Sequence, residues 1–252
     1  MSSILFYLYA IPSIDENNCV ESNGVWHKRY CLNDNTPDST LTKLGLIQEE
    51  KNENYQIDLN YPLEIVRFPK IHTLVKNRFE GATEVFKKRS EDNDKRSILN
   101  FECDQIYYVL EYGVVFCRIN SYFEGNHPNY SFLTVNFDKK SQEILELGAF
   151  FTGYENAIVD ISVYVKNMIY KQKSEKFGEQ IIKDEWIESG TSPNSGNYIN
   201  FVLTGNEDKI NGIKFIFSPY QVGSFAEGMY EVEVPLEVFS KYLKEKEVKT
   251  NE

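Results

Sequence analysis

Four cysteines and three histidines are the side chains of this chain best suited to covalent or metal chemistry. Cys19 and Cys31 bracket a short stretch containing Asn23-Gly24, a strong tight-turn signal, so their sulfurs could meet across a small loop. Cys103 and Cys117 lie on two strand-like runs, Phe101 to Leu110 and Gly113 to Tyr122. A hairpin turning near Glu111-Tyr112-Gly113 would bring them together, with the register left open by the sequence. Each such bridge would stabilise by roughly 3 kcal/mol on the loop-entropy account and would suit an oxidising compartment. Zinc is the competing chemistry, but no CxxC pair occurs and no histidine clusters with cysteine. Buried free thiols are the remaining reading.

His127 sits in a loop expected to be ordered and has the right pKa range for a general base. No neighbouring side chain completes a triad or a metal box, so a hydrogen bond within the loop is the simpler role. His27 carries less still, and His72 opens a helix on a mostly polar face. The 38 carboxylates make chance pairs common, and the sequence selects no pair for glycosidase chemistry. No GxSxG, P-loop, HExxH or dinucleotide fingerprint occurs. The chain reads as a non-enzyme without cofactor or metal.

The elements that must position these groups are read from periodicity. Glu49-Glu-Lys-Asn-Glu-Asn54 reads as a solvated linker, and Tyr55, Ile57, Leu59 and Tyr61 alternate as a strand. Pro69 precedes a helix with Ile71, Leu74, Val75, Phe79, Ala82, Val85 and Phe86 at three- and four-residue steps. After the cysteine hairpin come a loop at 124–130, a strand from Ser131 to Phe137 and a short extended step at 143–147. A second helix spans Tyr154 to Lys173, with Ile158, Ile161, Val165, Met168 and Ile169 on one face and Gly178 interrupting it. Strands at 198–203 and 213–217 and a last helix at 236–244 close the pattern. The expected fold is α+β, an antiparallel sheet with two long amphipathic helices packed on it. The expected organisation is an N-terminal extension with a disulfide loop (1–53), one domain (54–244, in subdomains 54–120 and 121–244) and a tail (245–252).

With 41% hydrophobic residues and 14% aromatic ones, the chain can build a core. A net charge of −11 disfavours nucleic acid and suits a basic protein partner, or solubility alone. No stretch reaches the roughly eighteen apolar residues of a membrane span. Ile4 to Ile11 is apolar but short and lacks a basic start, so it fits a first strand as well as a truncated leader.

The most informative stretch is Phe215 to Pro235. Ile213, Phe215 and Phe217 alternate as a half-buried strand, Pro219 stops it, and Tyr230, Val232 and Val234 begin another. The loop between them carries Tyr220, Phe225 and Glu227. The two aromatics could anchor a partner or plug the core, and Glu227 could meet a basic partner or face solvent.

The run Phe217-Ser-Pro-Tyr-Gln-Val-Gly-Ser-Phe-Ala-Glu-Gly228, followed by Val232-Glu-Val-Pro235, resembles the C-terminal signature of the RsiV-type extracytoplasmic domain. Three further stretches are similar to that family in order. Ile57-Asp-Leu-Asn-Tyr-Pro62 with the Ile71–Arg89 helix resembles its accompanying N-terminal subdomain, which also precedes a catalytic domain in some peptidoglycan deacetylases. Tyr122-Phe-Glu-Gly-Asn-His-Pro-Asn129 resembles a Gly-Gly-Ala-His loop, and Val135-Asn-Phe-Asp138 with Ile144-Leu-Glu-Leu147 its strand–turn–strand step. The family pattern differs at Glu124 and Asn126, and an Ala-Pro-Tyr is replaced by Gly223-Ser-Phe225.

The resemblance implies a periplasmic or secreted domain that binds a protein, since the namesake is an anti-sigma factor whose outer domain binds lysozyme. The implied contacts are Tyr220, Phe225, Glu227, Glu124, Asn126 and His127, inserted into the cleft of a peptidoglycan-cleaving enzyme such as lysozyme. An immunity protein against a cell-wall toxin and a peptidoglycan-binding module are the alternatives.

Overall fold

A computed structural model describes residues 19–21, 29–31, 41–42, 45–91, 96–123 and 128–244. Its larger sheet holds six strands, β3 (Ile47–Lys51), β4 (Tyr55–Asn60), β5 (Ser97–Cys103), β6 (Tyr107–Val109), β7 (Tyr112–Phe123) and β8 (Asn129–Asp138). β7 is its axis, with β5 and β6 on one side and β8 on the other. A second sheet orders β11 (Tyr230–Pro235), β10 (Ile210–Phe217) and β9 (Phe201–Gly205), all antiparallel. Two short strands, β1 (Cys19–Glu21) and β2 (Arg29–Cys31), pair with Cys19 opposite Cys31. The side chains of that pair lie outside the described residues, as do the 1–18 run and the 245–252 tail.

The α+β class holds, with one departure. β4 and β5 run parallel, because the helix between them, α1 (Pro69–Glu91), is a crossover rather than a hairpin turn. Proline opens α1 where its missing N–H costs nothing, and Ile71, Val75, Phe79 and Phe86 form its buried stripe. The first half of the stretch expected to be a linker, residues 49–51, belongs instead to strand β3, and only 52–54 connect it to β4. The charged side chains of β3 face solvent, while its backbone pairs with β4 from Ile47↔Asn60 to Lys51↔Gln56. An edge strand of Gln, Glu and Lys resists pairing with a second molecule. The extended step expected at 143–147 is reduced to a single bridge, Phe137↔Ile144, before a turn of 3-10 helix.

Cys103 and Cys117 face each other across β5 and β7 and are bonded, with sulfurs 1.98 Å apart. The hairpin geometry differs from the expectation. β5 ends at Cys103, and the separate strand β6 makes the tight turn into β7 at Leu110 and Glu111.

Two cores share β7 and β8. Val115, Cys117, Ile119, Val135 and Phe137 pack with α1, whereas Tyr112, Val114, Phe116 and Phe132 pack with the second sheet. Alternation along each strand sends successive residues to opposite cores, which is why β7 is buried on both faces. The second core is completed by α2 (Tyr154–Phe177), through Ile158, Ile161, Val165 and Ile169. α2 runs beyond the expected Lys173 and stops at Gly178, whose left-handed backbone (φ 69°) lets its N–H bond Ser174. A one-and-a-half-turn helix, α3 (Glu185–Gly190), and a single helical turn, α4 (Leu236–Phe239), come after it.

Side chains join the sheets where backbone pairing does not. The buried Asn136 amide on β8 donates to the Phe201 carbonyl (2.9 Å) and accepts from the Leu203 amide (3.1 Å), completing β9 as a neighbouring strand would. No helix among the described residues is long and apolar enough to cross a membrane.

Candidate functional site

The loop from Ser218 to Met229 stands between β10 and β11 and is built on two small devices. The first is a turn in which the Gln221 amide donates to Ser218 O (3.1 Å) and the Tyr220 amide to Gly223 O (3.0 Å). It places Tyr220 in the left-handed region at φ 71°, a conformation costing a non-glycine residue about 1 kcal/mol or more. The second is a capping box on the short 3-10 turn Phe225–Glu227, in which Ser224 and Glu227 bond each other's backbone.

A buried charge group locks these devices to the helices. Lys173, with a side chain only 3% exposed, reaches from α2 to Asp184 and to Glu227 (3.1 Å). Asp184 is also the N-cap of α3, accepting from the amides of Trp186 (2.8 Å) and Ile187 (3.3 Å). Glu227 accepts from the Ser224 amide (2.7 Å) and from the Tyr230 hydroxyl (3.0 Å). Burial opposes charge on Glu227, but the Ser224 amide, the Lys173 ammonium and the Tyr230 hydroxyl outweigh it and hold the carboxyl below its usual value. The same carboxylate helps raise the Tyr230 phenol, after burial as the larger cause. Gly223 makes room for it, since a Cβ there would lie 2.6 Å from Glu227 Oε2. The Lys176 ammonium donates to the Glu227 carbonyl.

The loop is clamped from the other side by Gln221, whose amide donates to the carbonyls of Asn197 (2.8 Å) and Gly190 (3.3 Å). At Gly190 any side chain would collide with the backbone, because its Cβ would sit 2.0 Å from Gln221 O.

On this frame stands a row of rings. Trp186 and Tyr220 have centroids 6.3 Å apart, Tyr220 and Phe225 5.9 Å, Phe225 and Tyr130 6.0 Å. The row begins in solvent, with Trp186 46% and Tyr220 51% exposed, and ends against Phe132 in the core. Phe225 is half-buried and so belongs partly to each reading offered for it.

The residues singled out in the sequence therefore separate. Tyr220 is a surface group and Phe225 a bridging one. Glu227 is not turned to solvent, since its carboxylate points inward to Lys173, Ser224 and Tyr230. Glu124, Asn126 and His127 lie outside the described residues. The end of that expected loop is strand, for Asn129 and Tyr130 already belong to β8, and Tyr130 joins the two expected loops through its contact with Phe225. Trp186, Tyr130, Lys173 and Asp184 were not singled out. An Asp two residues before a Trp at a helix start was the one available signal for the first.

Residues 149–237 match the model of a family described as "Protein of unknown function (DUF3298)". No curated protein gives a significant match. A DUF3298 family protein from Pseudomonas aeruginosa PAO1 shares the fold at a TM-score of 0.53 and 13% identity, over 79% of this chain and 93% of that one. A member of the DUF3298 family from Bacteroides fragilis NCTC 9343 aligns over 81% of this chain and 96% of that one, at 18% identity and a TM-score of 0.47. The stretch holding α2, α3, the second sheet and the ring-bearing loop is thus the part of the chain that carries the DUF3298 pattern.

Proposed function

We propose that this protein is an extracytoplasmic, non-enzymatic domain that binds a protein through the ring row of Trp186, Tyr220 and Phe225, with a cell-wall-cleaving enzyme such as lysozyme as first candidate. The observation that carries the reading is the presentation of Trp186 and Tyr220, about half exposed, on backbone fixed by a buried ion group. Rigid aromatic groups lose little entropy on binding and dominate contact energies. The Cys103–Cys117 bond suits an oxidising compartment. The charge of −11 suits a basic partner, with fast and salt-sensitive association. The likeness of the loop sequence to the RsiV type supplies the candidate, and blocking of the enzyme's cleft by the loop supplies the mechanism.

The test is a titration of oxidised protein against c-type lysozyme, following hydrolysis of cell-wall substrate at low and moderate salt. Stoichiometric inhibition that weakens with salt is expected. Tyr220→Ala or Trp186→Ala should each weaken it at least about tenfold, as loss of an interface anchor does. Phe225→Ala should weaken it too, through Tyr220 as well as through direct contact. Absence of inhibition at micromolar protein removes lysozyme as partner. A wall glycan is the second reading, favoured by the proximity of exposed Trp186 and Tyr220. Retention on isolated cell wall, lost in the Trp186→Ala variant, would select it.

A further inference from the structure

Among the described residues, the α1 face of the larger sheet is partly open. Beside α1, toward the ends of β7 and β8, lies an open cleft of about 380 Å³. One wall is the helical ridge Arg78, Ala82, Val85 and Arg89, and the floor includes Ile119 and Phe123. For scale, a cavity of about 150 Å³ accommodates benzene. Val85 is 62% exposed, an apolar side chain at the rim with little protein against it.

The charge of this cleft is opposite to that of the molecule. The chain carries −11 overall, yet among the described residues lining the cleft the charged side chains are Arg78 and Arg89. Arg89 lies over the Phe123 ring, 4.5 Å from its centroid. A stacked guanidinium keeps its N–H edge free for bidentate contact with a carboxylate. Eleven residues separate the two arginines on one helix, so at 1.5 Å per residue they stand about 16 Å apart along the axis. A compact anion reaches one of them. An extended peptide, rising about 3.3 Å per residue, reaches both with side chains about five residues apart.

We infer that this cleft is a binding site for an extended peptide segment with carboxylates near its two ends and an apolar side chain between them. The end carboxylates meet Arg78 and Arg89, and the central side chain fills the space between Ala82, Val85 and Ile119. The site is separate from the ring row, although Tyr130 borders both, and it does not depend on the function proposed above.

Gly81 offers a clean test, because a Cβ there meets nothing within 4 Å and a larger side chain would enter the cleft without disturbing the core. A random nine-residue peptide library displayed on phage would be selected on the oxidised full chain and, in parallel, on Gly81→Leu. The wild type is expected to enrich peptides with Asp or Glu about five residues apart around an apolar residue. An enriched peptide, synthesised with a fluorophore, should lose at least tenfold in affinity on Gly81→Leu, Arg78→Glu and Arg89→Glu. It should bind Tyr220→Ala as it binds the wild type. Equal enrichment on Gly81→Leu, a consensus without acidic residues, or loss of binding in Tyr220→Ala would each overturn the inference.

Discussion

Lys173 is the residue on which the most geometry depends. One buried ammonium pairs with both Asp184, which starts the helix bearing Trp186, and Glu227, which closes the turn bearing Phe225. Replacing it by Met keeps the length of the side chain and leaves two largely buried carboxylates without their cation. Breaking a fully buried pair costs about 3–5 kcal/mol, and the carboxylates' partial exposure places Lys173→Met nearer about 2–3 kcal/mol. A urea titration should report that loss, and partner binding should fall further than stability alone accounts for, because both ring-bearing arms move. Tyr220 provides the converse. Its left-handed backbone is a cost that glycine does not bear, so Tyr220→Gly should hold or raise stability by up to about 1 kcal/mol while abolishing binding through the ring. If Tyr220→Gly melts well below the wild type, the ring is a core plug and not a surface anchor.

At the scale of elements, α1 carries an acid sensitivity of its own. Burial, and after it the Lys76 charge, pushes the His72 imidazole down from 6.5 to about 4, and its Nδ1 is buried with no hydrogen-bond partner among the described residues. The imidazole is neutral in the fold, whereas the unfolded chain takes up a proton once the pH drops below 6.5. Stability is therefore lost as pH falls from about 6.5 to about 4, by up to about 3 kcal/mol, and this contribution is flat below that. Glu227 acts at more acid pH with the same sign, because a carboxyl held below its usual value loses its stabilising charge as the pH falls through its folded pKa. His72→Leu should flatten the melting temperature between pH 6.5 and 4 and leave the more acid decline in place. An unchanged slope would assign that range to other groups.

The same elements show how far the sequence could be read. α1 and α2 were legible because each presents an apolar stripe of four or more residues at helical spacing. The alternation of β10 and β11 was equally plain. β3 was not, because a solvent-facing edge strand has no apolar alternation to find, and its cause is the backbone of β4. α3 was missed because six residues give too little periodicity to see. The parallel pairing of β4 and β5 was implicit in a strand, a helix and a strand in succession. The ring row was half legible. Tyr220 and Phe225 stood out in a punctuated loop, but Trp186 and Tyr130 come to it from distant segments. Glu227 was misplaced because its inward partner, Lys173, sits on a helix that gives no sequence sign of facing this loop.

On the scale of the molecule, β7 decides how the two cores depend on each other. Its odd-numbered residues Val115, Cys117 and Ile119 belong to the core under α1, and its even-numbered residues Tyr112, Val114 and Phe116 to the core under α2. A strand buried on both faces cannot leave one core without opening the other. Asn136 adds a second tie, since its amide would lose both bonds to β9 if the sheets parted, at a cost of about 1–3 kcal/mol for a buried group left unpaired. The Cys103–Cys117 bond anchors β7 to β5 within the first core, across fourteen residues of chain, a closure that should stabilise by about 3 kcal/mol. The consequence of its removal should therefore not be local. In a Cys103→Ala, Cys117→Ala double variant, backbone amides in the middle of α2 should lose protection against hydrogen exchange by as much as those of α1, although the bond touches only the α1 core. The denaturant transition should stay single and shift to lower concentration. Loss of protection confined to α1 and β5, or a transition split in two, would mean that the cores open independently and that β7 is held by the second sheet alone.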